Sequence, residues 1–263
     1  MLKNVLKAKL LGNEAAVGTF LSVPAPSLAE VAGVSGADFV VIDMEHSPVN
    51  METVENCIRA AEVAGISPIV RMTDSSRKAM SRVLDIGAHG VKIPMISTAE
   101  QAREVVDACK YQPLGNRGAA LGRAARWGTV PGYFNKINDE VMIILMVETK
   151  EGVENVEEIA MTKGVDCIFV GTVDLSQSYG IMGQITAPVI EEAIVKVQKA
   201  CQKAGIIAGI TTQGGADSKR RIEQGYRYIS VMNDMRMFQA QFQSVLAEIF
   251  GDAAKGKGGA ALN

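Results

Sequence analysis

Eight apolar, Val- and Ile-rich runs alternate with helix-patterned segments, and several of them end in a charged residue. From this alternation the sequence predicts an α/β fold, a (β/α)8 TIM barrel with an N-terminal helix and a long connection between strands four and five. The apolar runs lack polar alternation, as parallel strands buried on both faces do. DFVVIDMEH ends in Asp43, Glu45 and His46, SPIVR in Arg71, VMIILMVE in Glu148, and DCIFVGTVD in Asp174. In a barrel of this kind the C-terminal ends of the strands converge on one rim, where such enzymes carry their chemistry. A chain of 263 residues also matches the ~250 typical of one barrel.

The elements follow in order. An opening helix over 2–11 precedes the first strand, VGTFLS at 17–22, and a helix over 27–34. No glycine-rich turn follows that strand, which argues against a doubly wound nucleotide fold. Strand two is ADFVVID (37–43), then a helix over 51–64 with Val54, Cys57, Ile58 and Ala61 on one stripe. Strand three is SPIVR (67–71), with a helix over 75–86. Strand four is HGVKIP (89–94), with a helix over 98–110. Residues 111–140 form a long Gly- and Arg-bearing connection, and connections of that length are often functional. Strand five is VMIILMVE (141–148), with a helix near 151–161. Strand six is VDCIFVG (165–171), and its crossover contains DLSQSYG and a helix over 188–203. Strand seven is IIAGIT (206–211), with a helix over 215–224. Strand eight is YRYISVM (226–232), with a closing helix over 234–250. We expect one barrel domain over 1–252 and a flexible, small-residue tail over 253–263.

Composition narrows the function. The net charge of −2 gives no basic footprint for nucleic acid or an anionic membrane, and 5% aromatic residues is too few for a base-stacking platform. No apolar stretch approaches the ~20 residues that cross a bilayer. Cys57, Cys109, Cys167 and Cys201 form no C-x-x-C pair, so they read as reduced packing thiols of a cytoplasmic protein rather than a zinc site.

The candidate site is read residue by residue. Glu148 closes an apolar strand, where an isolated carboxylate needs a cation or an arginine beside it. Asp174 stands at a helix start and reads as an N-cap or, with Glu148, as a ligand pair that water and substrate oxygens would complete around Mg²⁺ or Mn²⁺. His46, among Asp43 and Glu45, is a candidate general base or a structural loop histidine. Arg71 suits a substrate carboxylate or a developing enolate, or else a salt bridge to Glu148 or Asp43. His89 opens strand four and belongs to the opposite rim. Lys92 interrupts an apolar strand, as an ion pair, a rim residue or a Schiff-base former. GNRGAALGRAARW, with Arg117, Arg123 and Arg126, lacks the Lys-Ser/Thr of a phosphate loop but could bring donors over an anionic substrate.

Six strings, VIDMEHSP, IVRMTD, LDIGAHGVKIPMI, YQPLGNRGAALGRAARW, MVETKEGVENVEEI and VGTVDLSQSYG, occur in this order over roughly residues 3–250. Together the chain resembles the HpcH/HpaI family of metal-dependent pyruvate aldolases, which cleave 4-hydroxy-2-oxo acids. The resemblance implies Glu148 and Asp174 as metal ligands and His46 as the base, with Asp85 as its carboxylate partner. It implies Arg71 at the keto or enolate oxygen and the backbone amides of Gly171, Thr172 and Val173 at the pyruvate carboxylate. Arg123 would lie in a loop closing over the site. The implied reaction is reversible cleavage of a 2-keto-3-deoxy type acid to pyruvate and an aldehyde. The implied cofactor is Mg²⁺ or Mn²⁺, with Co²⁺ or Zn²⁺ also accepted, and the implied assembly is a homohexamer with exchanged terminal helices. Alternative readings are a citrate-lyase-like acyl-CoA lyase and a non-catalytic oxo-acid-binding barrel. Two departures from the family pattern stand out: Met146 where many members carry glutamine, and GTVD where many carry GPAD.

Overall fold

The structure is a computed structural model that describes residues 3–251. The tail expected over 253–263 lies outside them. Eight parallel strands close into a barrel in sequence order. They are β1 (Ala16–Leu21), β2 (Phe39–Asp43), β3 (Ser67–Arg71), β4 (Gly90–Ile93), β5 (Met142–Val147), β6 (Cys167–Val170), β7 (Ile207–Thr212) and β8 (Tyr228–Asn233). The helices are α1 (Val5–Leu11), α2 (Pro26–Val34), α3 (Met51–Val63), α4 (Arg77–Asp85), α5 (Ala99–Cys109), α6 (Tyr133–Glu140), α7 (Lys150–Glu154), α8 (Val156–Ala160), α9 (Thr172–Ser178), α10 (Pro188–Ala204), α11 (Gly215–Glu223) and α12 (Asp234–Phe250). All eight predicted strands are present.

Side chains alternate between two cores because successive residues of a strand point to opposite faces. Val40, Ile42, Ile143, Leu145, Ile168 and Val170 point outward and pack with helix residues such as Val54, Cys57, Ile58 and Ile194. Phe39, Val41, Ile144, Met146, Phe169 and Tyr228 fill the barrel interior. Phe39 stacks on Tyr228 with centroids 4.2 Å apart. Gly18 makes this packing possible: a Cβ there would lie 2.2 Å from the Phe39 carbonyl oxygen. Leu6 and Leu10 of α1 join the interior core and plug its N-terminal end. Asn4, the N-cap of α1, ties that plug down by donating from Nδ2 to the carbonyls of His89 and Glu140, each at 2.9 Å.

Three elements differ from the sequence reading. The connection over 111–140 contains a 3-10 turn, Arg123–Gly128, and the helix α6, whose Tyr133 and Ile137 are buried. Glycines on both sides obscured its short apolar stripe. The helix expected near 151–161 is two helices, α7 and α8, divided at Asn155, whose Nδ2 donates to the Ser97 carbonyl at 2.9 Å. A short helix, α9, forms directly after β6, with Gly171 as its N-cap.

Lys92 is neither an ion pair nor a rim residue. It is fully buried, and its Nζ has no hydrogen-bond partner among the described residues. The Nζ lies over the rings of Phe169 at 3.0 Å, Phe20 at 4.2 Å and Tyr228 at 5.4 Å. Burial, together with the nearby Arg71 charge, pushes its pKa well below the ordinary 10.5. Between that lowered value and 10.5 the unfolded chain binds the proton more tightly, so this group's contribution to stability rises with pH. Lys92→Met, similar in length and apolar, is expected to stabilise the protein by about 1–3 kcal/mol at neutral pH, because an unsatisfied buried polar group is removed. Denaturant unfolding at several pH values checks this. The advantage should shrink as pH approaches 10.5, and a pH-independent or negative difference would contradict it.

α12 contains no buried residue. Met235, Phe238, Phe242, Val245 and Ile249 recur at three- and four-residue spacing, and all are exposed, Phe238 to 69% and Ile249 to 63%. Among the described residues no helix is long and apolar enough to cross a membrane.

Candidate active site

The C-terminal rim holds a cleft of about 450 Å³, within the range of small-molecule sites. It is lined by Phe20 and Ser22 beyond β1, His46 beyond β2, Arg71 on β3, Met146 on β5 and residues 171–174 beyond β6, with Thr211, Gln213, Met232, Asn233 and Arg236 on the β7–β8 side.

Asp43 and Arg71 end neighbouring strands and are directly paired in register. Arg71 grips Asp43 with two hydrogen bonds, Nε to Oδ1 at 2.8 Å and Nη2 to Oδ2 at 2.5 Å. Its Nη1 reaches Glu45 Oε2 at 3.2 Å. Burial opposes the charge on Asp43, but the Arg71 hydrogen bonds and charge outweigh it and hold the carboxyl below its usual range. Asp43 Oδ1 also accepts from the backbone N–H of Glu45 at 3.0 Å and of His46 at 3.3 Å, which turns the chain so that His46 faces the cleft. His46 Nε2 lies 3.7 Å from Glu45 Oε2, and its side chain is 62% exposed. Burial raises the pKa of Glu45, against the charges of Arg71 and His46. Of the sequence-stated options, Arg71 therefore makes the Asp43 salt bridge while also lining the cleft.

Glu148 is buried directly beyond β5. Its Oε1 accepts from the backbone N–H of Met95 at 2.8 Å, and Met95 adopts a left-handed φ of 58° to present it. Its Oε2 is buried with no hydrogen-bond partner among the described residues. Burial raises the carboxyl to about 7, and the charges of Asp174 and Glu45 add to the rise while the Met95 bond and Arg71 oppose it. Asp174 stands in the first turn of α9 and is not its N-cap, a position Gly171 holds. The two carboxylates thus share one corner of the cleft.

An orphaned carboxylate oxygen next to a second carboxylate suits a hard divalent cation. Among the described residues no group of three or more His, Cys, Asp or Glu converges on such a point. Water and substrate oxygens would therefore supply the remaining ligands. Gly171 leaves room for this: a Cβ there would lie 2.1 Å from Glu148 Oε2. Its φ of −87° is open to any residue, so Gly171→Ala acts through that contact and not through backbone strain. The variant is expected to fold and to bind Mn²⁺ at least about tenfold more weakly, since displaced ligand geometry weakens a hard-ion site. Equilibrium dialysis checks this, and unaltered Mn²⁺ affinity would contradict it.

Two predicted site residues do not reach the cleft within the chain. Asp85 is the last residue of α4 and accepts from Arg117 Nη2 at 2.6 Å. Helices of such a barrel run back from the rim, so the end of α4 lies at the opposite face, and the carboxylate beside His46 in the chain is Glu45. Arg123 bonds the Ile86 carbonyl at 3.0 Å and Glu62, in a groove shared with His89. His89 lies at that same far end, Nδ1 3.2 Å from Ser67 Oγ, as its position before strand four predicted. Both departures have one cause: the connection over 111–140 starts and ends at the far face, so its arginines meet helix C-termini there. Sequence reasoning missed Ser22, Gln213, Asn233 and Arg236 at the cleft, because uncharged or surface-type residues beyond a strand end carry no periodic signal.

A barrel with carboxylates, an imidazole and a guanidinium around its rim defines a class of enzyme, and sequence comparison agrees. A sequence profile described as HpcH/HpaI aldolase/citrate lyase matches residues 16–240. The chain belongs to the HpcH/HpaI aldolase/citrate lyase family and is a carbon–carbon lyase of the aldolase kind. It is 34% identical over 257 residues to a 2-keto-3-deoxy-L-rhamnonate aldolase of Klebsiella pneumoniae subsp. pneumoniae, covering 97% of this chain and 96% of that protein. It is 37% identical over 245 residues to a 2-dehydro-3,6-dideoxy-6-sulfogluconate aldolase of Pseudomonas putida, covering 91% and 94%. The crystal structure of an HpcH/HpaI aldolase/citrate lyase family protein from Burkholderia cenocepacia J2315 superposes with a TM-score of 0.90 at 36% identity, covering 94% of this chain and 99% of that one.

Proposed function

We propose that the chain is a divalent-metal-dependent aldolase that reversibly cleaves a 4-hydroxy-2-oxo acid of the 2-keto-3-deoxy type into pyruvate and an aldehyde. The observation that carries this reading is the buried, unpartnered Oε2 of Glu148 beside Asp174. These two residues would hold the ion, with Mg²⁺ or Mn²⁺ the best chemical match and Co²⁺ or Zn²⁺ acceptable. When bound, a divalent ion supplies Lewis-acid polarisation of the 2-oxo group.

The chain's own residues do the rest. The segment Gly171–Val173, at the start of α9 and along the cleft, would hold the substrate carboxylate through its backbone amides. His46 takes the proton from the C4 hydroxyl, and Glu45 beside it favours the imidazolium that results. The C3–C4 bond then breaks, the aldehyde leaves, and the bond's electron pair passes into the pyruvate half as an enolate. Arg71, fixed by Asp43, donates to the enolate oxygen. A proton delivered to C3 gives pyruvate. Asp85 and Arg123 take no part in this scheme within a single chain.

We further propose that the enzyme works as a homo-oligomer, a hexamer as in the family pattern, in the cytoplasm. The exposed apolar stripe of α12 supports the first part, because monomers seldom leave such a face to water. Four buried, unpaired thiols fit the second. Pyruvate release coupled to lactate dehydrogenase, over a panel of 4-hydroxy-2-oxo acids with each metal and with chelator, tests the activity. Metal-restored turnover of at least one substrate is expected. Equal rates with chelator, or pyruvate binding without any turnover, would contradict the reading.

A further inference from the structure

Three basic side chains line the cleft: His46, Arg71 and Arg236. Arg71 is committed to Asp43 and Glu45, and His46 lies beside Glu45. Arg236 has no carboxylate partner among the described residues. Its guanidinium only approaches Gln213 Oε1, at 3.5 Å. A cation at a substrate cleft with no internal counter-charge is available to an anion from outside.

The backbone fixes where this cation stands. β8 carries an extra residue against β1, since Gly18 pairs with Ser230 but Phe20 with Asn233. Met232, within the extra stretch, has a left-handed φ of 46°, uncommon for a residue with a side chain. Bulges of this kind re-aim side chains beside active sites. Asp234 then locks the start of α12 to the end of β1, accepting from the N–H groups of Ser22 at 3.0 Å and Val23 at 2.9 Å. Asn233 caps the helix through the N–H of Arg236 at 2.8 Å. Arg236 is thereby anchored at the rim on the β8 side, two strands around the barrel from β6, which carries Asp174.

We propose that the aldehyde half of the substrate ends in a carboxylate, which Arg236 binds. This rests on the aldolase reading above and names its substrate class. With the oxo-acid end held near Glu148, Asp174 and residues 171–173, the remainder of the substrate extends across the mouth toward β7, β8 and β1. There Ser22, Thr211, Gln213 and Asn233 offer hydroxyl and amide groups to hydroxyls along the chain, and Arg236 meets the terminal acid.

The test measures aldol addition of pyruvate to acid-ended aldehydes, succinic semialdehyde among them, against alkanals of matched length. Wild type is expected to favour the acid-ended series in kcat/KM. In Arg236→Gln the acid-to-neutral ratio is expected to fall about tenfold, the worth of one charge-assisted hydrogen bond at a partly exposed site. The fall should appear in KM for the aldehyde, and Arg236→Lys should restore part of it. Ligand-observed NMR gives a readout independent of turnover: levulinate, a methyl-ketone mimic of such an aldehyde, should contact wild type more than 2-pentanone does, and the difference should vanish in Arg236→Gln. Deuterium exchange at C3 of pyruvate reports the pyruvate half of the site alone. Exchange by wild type with the acid-to-neutral ratio unaltered in Arg236→Gln would overturn this inference and leave the aldolase reading standing. No exchange with any metal would overturn both.

Discussion

Glu148→Gln is expected to lower the rate of 4-hydroxy-2-oxo acid cleavage by about a thousandfold or more, the equivalent of the several kcal/mol that Lewis-acid stabilisation supplies. The side chain keeps its shape and its acceptor for the Met95 N–H, so the fold should persist. What it loses is the negative charge on the buried, unpartnered Oε2. The same substitution predicts two pH effects. Because the wild-type carboxyl is raised to about 7, protons compete with the ion, and Mn²⁺ affinity should fall as pH drops below 7 and level off above it. In metal-free protein the folded carboxyl holds its proton more tightly than the unfolded chain, whose value is near 4.5. The stability this group contributes is therefore present below 4.5 and declines as pH rises from there through 7. Glu148→Gln should lack that decline. Unfolding of wild type and variant in chelator across this window checks it, and parallel pH profiles would contradict it.

The second large effect belongs to His46. His46→Gln is expected to lower kcat for cleavage by ~10²–10⁴-fold, the usual worth of a positioned general base. The loss should fall on kcat more than on KM, because the oxo-acid end is anchored elsewhere, at Glu148, Asp174 and Arg71. Glu45→Gln should produce a smaller loss of the same kind, since Glu45 acts through the imidazole at 3.7 Å and through Arg71 at 3.2 Å. Steady-state kinetics with a coupled pyruvate readout checks both. A KM effect with kcat intact would remove His46 from the proton transfer and leave it as a binding residue.

The parts of the molecule legible in the sequence are those where one physical cause dominates. Burial on both faces writes a strand as a continuous apolar run, so all eight strands could be read, and a charged residue ending such a run marks the rim. Glu148, Arg71, His46 and Asp174 were found on that signal, and the structure gathers them around one corner of the barrel mouth. The failures have equally specific causes. α6 is short and lies among glycines, so its two buried residues, Tyr133 and Ile137, give no readable period. Asn155 divides a helix through one side-chain bond to Ser97, a contact between distant segments. Lys92 reads as a charge awaiting a partner, but three aromatic rings from different strands enclose it instead. Asp85 and Arg123 were placed by resemblance, and within the chain their salt bridges to Arg117 and Glu62 hold them at the far face. Arg236 is one of several arginines on helical segments. Only the β8 bulge and the Asp234 clamp on β1 bring it to the cleft, and neither leaves a local signature.

The central claim is that Glu148 and Asp174 grip one divalent ion. Anomalous diffraction from a crystal soaked in Mn²⁺ and pyruvate tests it most directly. A single manganese peak within coordination distance of both carboxylates, with Glu148 Oε2 as a ligand, is the expected result. Manganese absent from this corner, or bound with Glu148 turned away from it, would contradict the account.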